Sequence, residues 1–135
     1  SLARNAYKLT SSPCSMLMPG ILVPPFASDR YDTKSMYQRI GFVVAHEIAH
    51  VASDVSKWDL DFATSILANY TISTWEEAAA DLLATDAVMA TGKTTTSELC
   101  LAVSQTWCCT RQGSLIEGSH PKCNLRGDEI CNWIL

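Results

Sequence analysis

The five residues His46-Glu47-Ile48-Ala49-His50 restrict this chain more than any other feature of it. They fall within a run where Met36, Ile40, Val43, Val44, Ile48 and Val51 recur at mostly three- and four-residue steps, which predicts a helix from Thr33 with one apolar stripe. Residues four apart stand one above the other on such a helix, so both imidazoles can reach one ion. Glu47 points beside that pair, where a carboxylate can take a proton from metal-bound water. Phe42-Val43-Val44 precede the motif and Ile48 interrupts it, so the histidines are expected to be part-buried. A chance arrangement on a surface helix would need three required residues, two histidines and a glutamate, at fixed spacing.

Two histidines do not complete a zinc site, which takes a third protein ligand and keeps one position open for water. Glu77-Ala78-Ala79-Ala80-Asp81 supplies the best candidate. A glutamate and an aspartate four apart put two carboxylates on one helix face, and the alanines between them let that helix approach closely. Glu77 is the expected ligand, with Glu76 the alternative because the register is ambiguous by one. Asp81 is placed to accept the free N–H of a ligating histidine and fix its tautomer. Taken without the histidine motif, the same residues would read as a capping glutamate and a solvated aspartate.

The rest of the chain reads as mostly helix with a small β element, an α+β fold. Residues 1–33 hold every proline except Pro121, and their apolar runs around 5–9 and 15–23 are expected to be short strands or extended segments, stopped by Pro24-Pro25. After the motif helix, a second helix is expected over 57–68. A third starts at Ser73 or Thr74, with Glu76 or Glu77 as capping partner, and ends at Gly92. A fourth, over 97–109, carries Leu99, Val103 and Trp107, and the tail from Thr110 is loop-like.

At 135 residues the whole chain, 1–135, is the size of one domain. A net charge of −4 gives no basic footprint for nucleic acid and no polybasic patch for an anionic membrane surface. No apolar stretch is long enough to span a bilayer, so no membrane insertion is expected. Cys14, Cys100, Cys108, Cys109, Cys123 and Cys131 point to up to three disulfides and an oxidising compartment, with 15 pairings open. The adjacent pair Cys108 and Cys109 is expected to bond to separate partners. A thiolate metal site would need a short C-x2-4-C pair, and none is present. Asn69-Tyr70-Thr71 is a glycosylation sequon, in keeping with a secreted protein. Ser1-Leu2-Ala3-Arg4 does not open a signal peptide, so the sequence is expected to be a mature, processed or excised piece.

Several segments, in one order along nearly the whole chain, resemble the neprilysin and endothelin-converting-enzyme family of zinc metallopeptidases. Asn5-Ala6-Tyr7 is similar to the family's Asn-Ala-Tyr/Phe strand, and Pro19-Gly20-Ile21-Leu22-Val23-Pro24-Pro25-Phe26 to its Pro-Ala-Gly-Ile-Leu-Gln-Pro-Pro-Phe. The run from Ile40 through His50 resembles its zinc helix, and Glu77 to Asp81 its Glu-x-x-x-Asp. Ser104-Gln105-Thr106-Trp107-Cys108 resembles Ala-Gln-Val-Trp-Cys, and His120-Pro121 with Arg126 resembles the family's His-Ser-Pro with an arginine six residues after the histidine.

What the resemblance implies is a zincin-like (gluzincin) core holding one Zn2+ through His46, His50 and Glu77, with Glu47 as general base. His120 would donate to the oxyanion of the reaction, Asn5 and Ala6 would hold the substrate backbone, and Arg126 would bind a substrate carbonyl. Ile21, Phe26, Val43 and Trp107 would line an apolar pocket for the residue after the scissile bond. There are departures. After His50 the family has Gly-Phe-Asp-Asp where this chain has Val51-Ala52-Ser53-Asp54, so the supporting aspartate becomes Ser53 and Asp54 is the candidate substitute. Glu76 and Ala78 stand where the family has glycine and asparagine, and the interval from His50 to Glu77 is much shorter. The large helical domain that covers the family's site has no counterpart, which implies an open site, less selective by size. The expected function is a secreted, zinc-dependent peptidase that hydrolyses small peptides. The alternative is a catalytically degenerate homologue that binds a peptide or protein. Glu47 favours the enzyme, because zinc binding without catalysis needs no glutamate there.

Overall fold

Residues 5–9, 13–52 and 72–107 are described by the computed structural model of the chain. The expected helix over 57–68, the sequon at Asn69, and Ser53, Asp54, Cys108, Cys109, His120, Cys123, Arg126 and Cys131 lie outside the described residues. What is described is mostly helical with a two-stranded antiparallel sheet, the coarse α+β architecture expected.

Strands β1 (Ala6–Lys8) and β2 (Ser15–Leu17) pair with Ala6 opposite Leu17, Tyr7 opposite Met16 and Lys8 opposite Ser15. The two-residue period of a strand sorts their side chains. Ala6 and Leu17 pack against the core, while Tyr7 and Met16 are exposed. The second apolar run, expected to stay extended to Val23, stops being strand after Leu17. Pro19 fixes φ and lacks an N–H for a ladder, and a 3-10 turn forms over Pro19–Ile21 instead.

Asp32 starts the motif helix by accepting the N–H of Ser35 at 2.8 Å. Helix α1 (Thr33–Met36) passes through one π turn (Tyr37–Gly41) into α2 (Phe42–Ala52). The stripe expected to be continuous divides here. Val43 and Val44 stand about 100° apart around a helix, so they cannot face one neighbour. Phe42, Val43, His46 and Ala49 are buried, whereas Ile48 is 57% exposed. With Met36, Tyr37, Ile40 and Val44, Ile48 lines an open apolar groove of about 380 Å³.

Helix α3 (Ile72–Ala90) begins ahead of Ser73 and Thr74, the residues expected to cap it. It packs antiparallel to α2, with Glu77 near His50 and Asp81 near His46, and the small buried side chains of Ala80 and Ala84 share the face that carries those two carboxylates. It ends as expected, with Gly92 at φ +68°, a left-handed conformation that costs glycine little. Helix α4 (Thr96–Thr106) starts one residue before the expected Ser97. Thr95 accepts the N–H of Glu98 at 3.3 Å and Glu98 accepts that of Thr95 at 2.9 Å, a complete capping box.

One core joins these elements: Ile21, Phe26, Phe42, Val43, Leu99 and Val103 are buried together, and the rings of Phe26 and Trp107 meet edge to face at 5.9 Å. Each large apolar side chain so buried contributes about 1.5–3 kcal/mol. Polar ties surround it. Gln38 donates to Thr94 Oγ1 at 2.7 Å in a buried bond, and Arg39 donates to Gln105 Oε1, Thr106 Oγ1 and the Pro25 carbonyl while lying over the Tyr31 ring.

Cys100 is buried and disulfide-bonded, and its partner lies outside the described residues. Cys14 is a free, exposed thiol, which corrects the expectation of up to three bridges: five remaining cysteines make at most two within the chain. Among the described residues no helix is long and apolar enough to cross a membrane.

Candidate metal centre

His46 and His50 lie one turn apart on α2, and their rings meet edge to face with centroids 4.6 Å apart. Their Nε2 atoms are 2.9 Å apart. Across the α2–α3 contact, Glu77 brings Oε2 to 3.0 Å from His46 Nε2 and Oε1 to 3.2 Å from His50 Nε2. All three residues thus offer a ligand atom within 4.8 Å of one another. The carboxylate that meets both rings belongs to Glu77, the first choice of the two glutamates.

This donor set fits zinc in kind and in scale. Bonds of about 2.0–2.1 Å in tetrahedral geometry place neighbouring donors about 3.3–3.4 Å apart. The separations here are a few tenths shorter, so a small outward movement of the side chains makes room for the ion. Two imidazoles and one carboxylate occupy three corners of the tetrahedron and leave a fourth for water or substrate.

Asp81 follows Glu77 by one turn of α3, on the same helix face. Its Oδ1 lies 2.8 Å from His46 Nδ1, and both side chains are buried. A carboxylate accepts only, so Nδ1 is the nitrogen that donates to Asp81, and Nε2 is the one that would offer a lone pair to a cation held between His46, His50 and Glu77. Thr85 donates to the Asp81 carbonyl at 2.8 Å, a bond internal to α3. Glu47 is buried beside the histidine pair on α2. Its backbone carbonyl accepts a hydrogen bond from the Ser15 hydroxyl at 3.1 Å.

The other expected site residues are distributed as follows. Asn5 is half-buried at the start of β1, and its Oδ1 accepts the N–H of Ala6 at 2.9 Å. Ala6 packs against the core. Ile21, Phe26, Val43 and Trp107 come together, all inside the buried core cluster. Asp54, His120 and Arg126 lie outside the described residues. Ser15 was not among the residues singled out from the sequence. A serine on a short strand carries no mark of a partner 32 positions away.

Compared with family models, curated proteins and solved structures, the chain matches none of them. A functional reading therefore rests on the motif, on the segment likenesses in the sequence and on the convergence of His46, His50 and Glu77.

Proposed function

We propose that the chain is a secreted zinc-dependent peptidase with a zincin-like core, cleaving peptides with an apolar residue after the scissile bond. The observation that carries this reading is the carboxylate of Glu77, on α3, reaching the Nε2 atoms of both motif histidines on α2. Incidental histidines on a surface helix have no reason to share a carboxylate from another helix, with a buried aspartate behind one of them.

When bound, zinc supplies a Lewis acid and lowers the pKa of a bound water towards 7. The protein's own part divides among five residues. His46, His50 and Glu77 hold the ion, and Asp81 keeps the His46 ring in the required tautomer. The Glu47 carboxylate takes the proton of the attacking water and passes it to the departing amine nitrogen. Asn5, Ala6 and Arg126 would bind the peptide backbone and His120 would donate to the oxyanion, roles that rest on the resemblance alone. An extracellular setting agrees with the cysteine content and the bond at Cys100.

The deciding experiment is cleavage of a mixed peptide library with and without a chelator, alongside elemental analysis and the Glu47→Gln variant. Peptidase activity should need the metal and vanish in Glu47→Gln with zinc still bound. Folded, zinc-loaded protein that cleaves nothing would leave a peptide- or protein-binding role in its place.

A further inference from the structure

The β hairpin touches α2 in two ways. Ala6 and Leu17, opposite each other in the ladder, pack against the core by non-directional apolar contact. Ser15, two residues before Leu17 and so on the same face, donates its hydroxyl to the carbonyl of Glu47 at 3.1 Å. That carbonyl sits inside α2, where one lone pair serves the helix and the second is free for a further donor. Apolar contacts alone would let the hairpin slide along the helix axis. A hydrogen bond to one chosen carbonyl sets its height, at the residue of the motif that handles the proton.

The ladder shows what that height controls. Met18 donates to the Asn5 carbonyl and Leu9 to the Cys14 carbonyl, both at 2.9 Å. Bonded and non-bonded pairs alternate in an antiparallel ladder, so the backbone polar groups of Ala6 and Lys8 turn to the outer edge of β1. The Ala6 N–H is taken by Asn5 Oδ1. The Ala6 carbonyl and both backbone groups of Lys8 are then the polar groups an extended peptide would pair with by strand addition.

We propose that Ser15 is a positioning residue: its bond to the Glu47 carbonyl fixes the outer edge of β1 relative to the metal donors and so sets the affinity for peptide substrate. The inference rests on the peptidase reading. Its test uses the full chain, zinc-loaded, as wild type, Ser15→Ala and Ser15→Thr, with steady-state kinetics, zinc content and amide hydrogen exchange at Leu9 and Met18. Ser15→Ala should raise KM about two- to tenfold, the scale of one hydrogen bond, with kcat and zinc content unchanged and both amides exchanging faster. Ser15→Thr keeps the hydroxyl, suits a strand, and should restore every value. Unchanged KM in Ser15→Ala overturns the proposal, as does a fall in kcat and zinc content together, which would mean a damaged helix rather than a displaced hairpin. If zinc-loaded wild type cleaves no peptide, the peptidase reading fails separately, and exchange decides the anchor: faster in Ser15→Ala and rescued in Ser15→Thr supports it, while unchanged exchange overturns it.

Discussion

Asp81, wholly buried on α3, holds His46 Nδ1 at 2.8 Å, while the opposite nitrogen of that ring faces Glu77 at 3.0 Å. The carboxylate would therefore act on the proposed cation site without touching it. It orients the ring, selects the tautomer and makes Nε2 a better donor. Partners of this kind change metal affinity about 10–100-fold when mutated. Asp81→Asn keeps the shape and removes the charge. Zinc affinity, measured by competition with a chromophoric chelator, should fall by about that factor with the helix content intact. An affinity equal to wild type would mean that Asp81 serves packing only.

Glu77 reaches both rings from α3, so its removal should be felt in stoichiometry rather than in a modest shift. Two imidazoles alone leave the ion two protein ligands instead of three. Glu77→Ala is expected to lose most of its zinc on dialysis against metal-free buffer, while Glu77→Asp, one methylene shorter, should fall in between. Full zinc occupancy in Glu77→Ala would remove the residue from the ligand set.

The buried bond from Gln38 to Thr94 tests a different part of the fold, the seat of the π turn. Thr94→Val deletes the acceptor and leaves a buried amide donor without it, a loss of about 1–3 kcal/mol. Replacing both partners by apolar groups of similar shape, Gln38→Leu with Thr94→Val, should recover much of that loss because no polar group is then stranded. Chemical denaturation of the single and double variants reads this directly. A double variant as unstable as the sum of its singles would contradict the account.

How much of this was legible in the sequence follows from the range of each interaction. Helical periodicity placed the motif helix at Thr33, and Gly92 marked the end of α3. The spacing of His46 and His50, and of Glu77 and Asp81, put each pair on one face. That the two faces meet is a tertiary fact, which the small Ala80 on the face of Glu77 and Asp81 allows and the reach of Glu77 to both rings displays. The division of the apolar stripe between core and groove was not readable, because Val43 and Val44 are equally apolar and only packing distinguishes them. Nor was the free thiol at Cys14, since counting cysteines does not locate partners. The Thr95–Glu98 box stands in the sequence as a threonine three residues before a glutamate, just ahead of the helix start expected at Ser97.

That same glutamate gives the fold a pH dependence away from the metal site. The Lys34 ammonium 2.8 Å from Glu98, with the Thr95 N–H of the cap behind it, holds the carboxyl at about 2 against its ordinary 4.5. The pair is exposed, so its effect is small and screened by salt. Its sign follows from linkage: a depressed folded-state pKa contributes stability that is complete above about pH 4.5 and is lost as pH falls towards 2. Asp32, lowered by the N–H of Ser35 that it caps, adds to the same trend. Between pH 5 and 2, thermal stability should therefore decline less steeply in Glu98→Gln than in wild type, and the difference should shrink at about 1 M salt, where the Debye length falls to about 3 Å. Equal slopes for the two proteins across that range would show that the bond to Lys34 and the cap are not held in solution.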